Sequence, residues 1–473
     1  MIGRAPSERA LPPIADTAVH VDIAIIGGGF SGAALAIHLA RGATSRLRIT
    51  IFEPRAQVGR GVAYAAEPWH RLNVRAAAMS IVPGQANDFL DWATARLPGI
   101  TAGSFAPRVR YGEYVADTFA ASVEDTRADV VTHRARISGV QPMAGGWCIT
   151  TESGAEFAAS IVVLATGNGR PAHPACVPSE ARGHPRYVPD PWAADALTPF
   201  APDEPVLVLG TGLTMADVVV SLRERGHCGF ILALSRRGLL PATHLLTTPS
   251  TPLPRDLDAE SWTVAAHEGI AALTRRIRLD VRANALAGVP WHLVVDQVRF
   301  AVPTLWAALA PAERARFLRH LRPWWDTHRH RLPPEVAARL VDDARRQTLA
   351  IQSGRVLTCA FGKEVVEVSI CRRGALAPEP HQFGRVINAT GTESRPDRDP
   401  VLAPLIAAGQ LRADALGLPT NPDRHALDGR GEPVHALYVL GPALRSTYWE
   451  ATAVPELARH AAALAEHILA TRS

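Results

Sequence analysis

The sequence predicts an α/β protein made of two doubly wound domains, the second carrying a helical insert. Three observations predict it. An apolar strand runs into a glycine-punctuated turn and a helix twice, in "VDIAIIGGGFSGAALAIHLA" (21–40) and in "EPVLVLGTGLTMADVVVSLRERG" (204–226). Each is followed later by an apolar strand ending in Ala-Thr-Gly, in "ASIVVLATGNGRP" (159–171) and "FGRVINATGTESRP" (383–396). Between the second turn and the second of those strands, about 255–350, the composition turns helical with proline breaks. A chain of 473 residues suits two or three domains, and 47% apolar residues supply a large core.

The first motif sets Gly27, Gly29 and Gly32 at the spacing of a dinucleotide-binding turn, with Phe30 and Ser31 inside it. Gly27 permits the tight turn, Gly29 lets the backbone approach a pyrophosphate, and Gly32 lets helix and strand close up. The helix that follows offers free N–H groups and a positive dipole end to phosphates. A second strand, "LRITIFEP" (47–54), ends in Glu53 and Pro54, where a carboxylate accepts hydrogen bonds from ribose hydroxyls. That carboxylate repels a 2′-phosphate, so this Rossmann-like site suits a nucleotide without one.

The second motif repeats the grammar with Gly210, Gly212, Leu213 and Thr214, but Met215 stands where a third Gly or Ala is expected. The helix–strand contact is therefore expected to be looser or shifted by one residue. The next strand, "FILALSRRG" (230–238), ends in Ser235, Arg236 and Arg237 where the first site has its acid. A hydroxyl and two guanidinium groups suit a ribose 2′-phosphate, because arginine meets phosphate with paired donors. An exposed basic loop end is the plain alternative. Two sites of opposite charge preference imply two nucleotides: a resident FAD, and an NADPH that reduces it. Thr166, Gly167 and Gly391, in the Ala-Thr-Gly strands, are small enough to pass close beside such cofactors.

Longer segments add to these motifs: "GRGVAY" (59–64), "HRLNVRAAAMS" (70–80), "SRRGLLP" (235–241), "RFLRHLRPWWDTHRHRLP" (316–333) and "YWEATAVPEL" (448–457). With them the chain resembles a bacterial FAD/NAD(P)-binding flavoprotein family, related to flavin-containing and N-hydroxylating monooxygenases. The expected organisation is an FAD-binding domain in two parts, 18–190 and 381–473, and an NAD(P)H-binding domain at 195–380. The resemblance implies an asparagine against flavin and nicotinamide, and Asn73 matches it by order and context. Its amide both donates and accepts, although an Asx-type turn is the other reading. Arg60 is a candidate for the pyrophosphate.

The stretch 435–469 reads as a strand, a turn at Gly441 and a long helix with Pro455 in its first turn. Similar flavoproteins aim such a helix N-terminus at the flavin pyrimidine, whose negative charge on reduction the dipole favours. Trp449 and Glu450 are then expected beside the ring; a packing aromatic and a helix-start acid are their plain readings. Gly441-Pro442 departs from the glycine-aspartate turn of flavin reductases, so the ribitol contact is expected from elsewhere.

Other features bound the chemistry. Cys148, Cys176, Cys228, Cys359 and Cys371 stand far apart in sequence, with no metal or redox spacing, and are expected as free thiols. No thiol pair lies between Glu53 and Ser80, which removes disulfide reduction beside the flavin. The phenylalanine–glycine–histidine signature of related monooxygenases survives only as Gly183, His184 and Tyr187. In the insert, Trp324-Trp325 with His328, Arg329, His330 and Arg331 either cap a pocket for an anionic substrate or form a hairpin packed on its own domain with a solvated basic face. The second reading is preferred, and the histidine spacing argues against a metal. The formal charge of +5 comes from arginine, Lys363 being the single lysine, and no basic–aromatic stripe suggests nucleic acid. The first twenty residues lack the apolar core of a signal peptide, and no apolar run reaches membrane-spanning length. A cytoplasmic protein without a membrane partner is expected.

The functional expectation is an NADPH-driven, FAD-dependent monooxygenase that uses molecular oxygen to hydroxylate a small substrate, amine or amino-acid-like compounds being one candidate class. The same residues permit an FAD/NAD(P)H dehydrogenase or reductase without oxygen chemistry. Met215 and the weak histidine signature also permit a nucleotide-binding protein without activity.

Overall fold

The computed structural model describes residues 19–124, 126–198, 201–247, 257–393 and 395–472, so all but the last two of the first twenty residues read above lie outside the described residues. The chain opens with β1 (Val19–Ile26), α1 (Phe30–Gly42) and β2 (Leu47–Phe52). Short helices α2 (Gly61–Tyr64) and α3 (Asp88–Thr94) lead to α4 (Arg108–Val123). Four strands follow: β3 (Ala128–His133), β4 (Ile137–Met143), β5 (Gly146–Thr151) and β6 (Glu156–Leu164).

The chain then crosses to a second sheet with β7 (Tyr187–Val188), β8 (Val206–Leu209), α5 (Leu213–Glu224) and β9 (Ile231–Ser235). Six insert helices come next: α6 (Ala259–Glu268), α7 (Ile270–Leu286), α8 (Trp291–Ala308), α9 (Pro311–His320), α10 (Arg322–Arg329) and α11 (Pro334–Arg345). The second sheet is completed by β10 (Leu349–Phe361), β11 (Val366–Arg372), β12 (Glu379–Phe383) and β13 (Arg385–Asn388). The return segment holds α12 (Leu402–Ala407), β14 (His425–Leu427), β15 (Pro433–Val439) and α13 (Val454–Arg472).

Two sheets result, as the sequence predicts. The first runs β14-β15-β6-β1-β2-β3, with the β4–β5 hairpin on the early half of β6. β1 lies between β2 and β6, all parallel, pairing Ile23 with Ile49 and Ile161. Strands covered on both faces need continuous apolar runs, which is why "DIAII" and "IVVL" are near-unbroken. α1 packs in the same core with α4 and α13 and is buried on most of its surface. The second sheet runs β12-β11-β10-β9-β8-β13-β7.

Two expectations change. The strand 385–388, assigned to the first domain, pairs with β8, and β7 joins its other edge, so both belong to the second sheet. The crossings therefore lie before Tyr187 and after Asn388, because hydrogen-bond partners rather than sequence order decide which sheet takes a strand. The β4–β5 and β11–β12 antiparallel strands carry no signal that the sequence reading used. Lastly, the insert does not pack only on its own domain: Trp306 Nε1 donates to the Ser446 carbonyl at 3.1 Å and stacks on Trp449 at 5.2 Å. Its apolar face is matched by the 441–456 segment, far away in sequence. The proline breaks at Pro311, Pro323 and Pro333-Pro334 fall at helix starts, while Pro303 is accommodated inside α8.

Candidate functional site

Both glycine turns are built by the same local contacts. Gly27 adopts φ +106°, and a Cβ there would stand 2.3 Å from the Ala165 carbonyl oxygen; Gly210 adopts φ +118°, with the Ala389 oxygen at the same 2.3 Å. Each Ala-Thr-Gly strand thus closes against its own glycine turn. α1 starts after Gly29 and α5 after Gly212, and no side chain caps either helix, which leaves their first N–H groups facing outward. Because both helices start one residue after the second glycine, no register shift accompanies Met215. Its side chain is fully buried in the second core instead. Leu213 packs partly on that core and Thr214 is half-buried beside it.

Around the first turn, Glu53 is buried and accepts from the Gly28 amide at 2.9 Å and the Arg55 amide at 3.0 Å. Those bonds hold the carboxylate against the glycine turn, at the end of β2 where a ribose would be read. Gly28, which the motif leaves unspecified, is needed here: a Cβ would meet the Glu53 side chain at 2.7 Å. Pro54 continues the strand end, its carbonyl accepting from Arg134. Phe30 is buried against Tyr64 and Tyr111 and serves the core. Ser31 faces Gly441, whose Cβ would come within 3.1 Å of its hydroxyl oxygen. Gly59 donates to the Gly28 carbonyl at 2.7 Å, and Arg60 follows with its side chain beside Gly112 of α4 and its Nε buried without a partner among the described residues. Thr166 and Gly167 lead away from β6, with open space above Gly167.

At the second turn Ser235 has a structural duty: its hydroxyl contacts Thr211 at 2.9 Å and accepts from the Gly238 amide at 2.9 Å. Arg236 is exposed and Arg237 half-buried, and neither forms a hydrogen bond or ion pair among the described residues.

A cleft of about 410 Å³ joins the two sheets and the insert. From the first domain it takes Asn73, Arg108, Trp449, Glu450 and the N-terminus of α13; from the second, Thr390 and Gly391; from the insert, Arg322, Asp326, Arg329 and His330. Asn73, Trp449 and Glu450, the residues expected near a flavin ring, thus line one cleft. The Asn73 carbonyl accepts from His244 Nε2 at 2.9 Å, while its amide makes no hydrogen bond among the described residues and is available to a ligand. Glu450 is not a free acid. Arg329 Nε holds it at 3.0 Å and Trp325 Nε1 at 2.8 Å. Arg329, 7% exposed, leaves Nη2 without a partner. Trp449 is buried in the insert core, with the Arg445 guanidinium 4.6 Å from its ring centre. Burial and neighbouring Arg322 hold the Arg445 pKa down to about 10, so it remains a cation.

Sequence reasoning missed the contributions of Arg108, Arg322, Arg445 and His244. For Arg322 the "RPWWDTHRHR" run was the available signal, and Arg322, Arg329 and His330 of that run line the cleft; Arg108, His244 and Arg445 lie outside it. Arg108 pairs with Asp217 on α5 at 2.8 Å, and His70 Nε2 contacts Ser221 at 2.8 Å, so the two domains are clamped beside the cleft. Cys176 and Cys359 also come together, the Cys359 amide donating to the Cys176 carbonyl at 3.1 Å. Among the described residues no helix is long and apolar enough to cross a membrane, and no His/Cys/Asp/Glu group could hold a metal.

His244 supplies a pH prediction. Burial holds its pKa down to about 4, against about 6.5 when unfolded. Between those values the unfolded chain binds a proton that the native state refuses, so stability falls as pH drops from 6.5 towards 4 and this group adds no slope above 6.5. Melting temperature measured across this window should decline, and His244→Gln should flatten part of the decline.

Residues 24–169 match the family described as FAD-NAD(P)-binding. Those residues are similar to an FAD-NAD(P)-binding domain. FAD and NAD(P)H are the nucleotides named in that family's description, and the uncapped α1 N-terminus, the buried Glu53 and the buried Arg60 Nε fit the adenosine diphosphate portion of FAD. No curated protein matches the chain. Among solved structures it is similar to the ornithine N-hydroxylase of Kutzneria sp. 744, with TM-score 0.63 and 16% identity over 96% of this chain and 100% of that one. It is also similar to the ornithine hydroxylase of Pseudomonas aeruginosa (0.64, 14%, 96% and 100%) and the L-lysine 6-monooxygenase of Pseudomonas syringae (0.60, 17%, 96% and 99%). At these identities the likeness is one of fold.

Proposed function

We propose that the protein is an NADPH-reduced, FAD-dependent monooxygenase that hydroxylates a small, amino-acid-like substrate. The observation that carries this reading is the cleft, whose walls bring together Asn73, the N-terminus of α13 and the Gly391 turn. Bound FAD would supply the two-electron acceptor for NADPH and, once reduced, the reaction with oxygen. The residues do the rest. The first turn and Glu53 would hold the FAD adenosine and pyrophosphate, and the uncapped α5 N-terminus with Arg236 and Arg237 would hold NADPH. The free Asn73 amide would orient the reacting rings, and the positive end of α13 would favour negative charge in the cleft. Arg299 on α8 grips Glu456 in the first turn of α13, which ties the insert to that helix end.

The cleft charge supports a substrate bearing a carboxylate. Arg108, Arg322, Arg329 and Arg445 outnumber Asp326 and Glu450 on its walls, an arrangement that opposes a plain diamine. The fold is shared with enzymes named for ornithine and lysine, both amino acids.

The test is anaerobic mixing of the flavin-loaded protein with NADPH or NADH, followed by oxygen and candidate amino acids. The expected result is faster bleaching of the flavin by NADPH, then oxygen consumption coupled to hydroxylated product. Release of all the oxygen as hydrogen peroxide with every substrate, together with good anaerobic turnover of an organic acceptor, would establish the reductase instead.

A further inference from the structure

The insert encloses a second cavity that the chemistry above does not use. It has a volume of about 740 Å³ and lies among α7, α8, α9 and α10. Trp291, Trp306, Trp324, Trp325 and Trp449 line it, half of the ten tryptophans in the chain. Its remaining walls are chiefly aliphatic, with Val295, Val298 and Leu305 on α8. Interiors normally pack with few voids larger than a water molecule, and an apolar void costs stability in proportion to its volume. This one falls within the range of about 300–1,000 Å³ typical of small-molecule sites. Trp324, 47% exposed, sits on its wall.

The rim is cationic. Thr274, Arg278 and Arg282 line both this cavity and an adjoining pocket, to which Arg275, Arg316 and His320 contribute. Arg275, Arg278 and Arg282 share one face of α7, all exposed, and none has an ion pair or hydrogen bond among the described residues. Like charges three and four residues apart on a helix repel. The helix does carry an acid, but Asp280 is buried and engaged elsewhere, with Arg276 at 3.1 Å and Trp262 Nε1 at 2.7 Å. An apolar chamber with uncompensated guanidinium groups at its mouth matches a ligand that is apolar at one end and anionic at the other. A cation would be repelled at the rim, and nucleic acid needs an extended basic surface rather than a tryptophan-lined chamber. Of all the cavity's residues, only Trp449 also lines the Asn73 cleft, so the two chambers share one wall and little else.

We propose that the helical insert binds an amphipathic organic acid, its apolar body in the tryptophan-lined cavity and its acid group on Arg278 and Arg282. The probes are decanoate, decanol and decyltrimethylammonium, below their micellar concentrations, with the full-length flavoprotein. Equilibrium dialysis gives the affinity, and tryptophan fluorescence reports occupancy of the chamber. Decanoate should bind saturably at one site with a fluorescence change, decanol more weakly, and the ammonium compound weakest. The exposed double variant Arg278→Ala/Arg282→Ala, which should fold normally, is expected to lose about tenfold or more in decanoate affinity and to keep its decanol affinity. Three results would overturn the proposal: no saturable decanoate binding, ammonium binding as tight as decanoate, or a double variant that binds decanoate like the parent. A fourth is a dimer, seen by sedimentation, that fills the chamber and excludes decanoate. The readout needs no turnover, so failure of the oxygenase reading and failure of this one are separable.

Discussion

Glu450→Leu is expected to destabilise the protein by about 3–5 kcal/mol, the usual cost of breaking a buried ion pair by removing one partner. Arg329 and Glu450 have side chains only 6% and 4% exposed and meet at 3.0 Å. Burial already holds the Arg329 pKa below its ordinary value, and the nearby Glu450 charge is the largest influence opposing that shift. Without the carboxylate, a guanidinium with one nitrogen already unpartnered would stay buried and uncompensated, and Trp325 would lose its acceptor. Denaturant titration should show the fall as a lower midpoint. Glu450→Gln keeps an acceptor for Trp325 and should cost less. Adding Arg329→Met to Glu450→Leu should recover part of the loss, since removing both charges is far cheaper than stranding one. Equal stability for Glu450→Leu and the parent protein would show that the pair does not hold the insert to the first domain.

The second large effect concerns nucleotide choice. The double variant Arg236→Ala/Arg237→Ala is expected to raise KM for NADPH by roughly a hundredfold or more, because each of the two charge-assisted bonds to the 2′-phosphate contributes about 1.5–3 kcal/mol. KM for NADH should barely change, and kcat with either nucleotide should stay near its original value. Both guanidinium groups lack protein partners among the described residues, so their removal should leave the melting temperature unaltered. Flavin bleaching rates across nucleotide concentrations measure all three quantities. An unchanged preference would reassign these arginines to a solvated loop end.

Ser235 illustrates how a motif can be located correctly while a side chain's duty is misread. It stands at the strand end beside the arginines, but its hydroxyl organises the turn through Thr211 and Gly238. A hydroxyl can serve backbone or ligand, and only coordinates show which one it meets. Glu450 is a similar case. A carboxylate ahead of a helix reads as a helix-start acid or a residue beside the flavin, yet its partners lie on α10, some 121 and 125 residues earlier. The preference for a hairpin packed on its own domain failed for the same reason. The helical character of the insert was legible from composition, but nothing local announced that residues 441–456 would cover the apolar face of α8.

The sequence by itself determined the two dinucleotide turns and the strands that close on them. Their requirements are local: a positive φ at Gly27 and Gly210, and no room for a Cβ against a neighbouring carbonyl. Residue type alone can express such a constraint, so it can be read from letters. Tertiary structure alone decided the chemistry of the cleft and of the insert. Whether an arginine there is a solvated charge, half of a buried pair or the rim of a chamber depends on what distant segments bring to it, because the energy of a charge is set by its surroundings rather than by its identity.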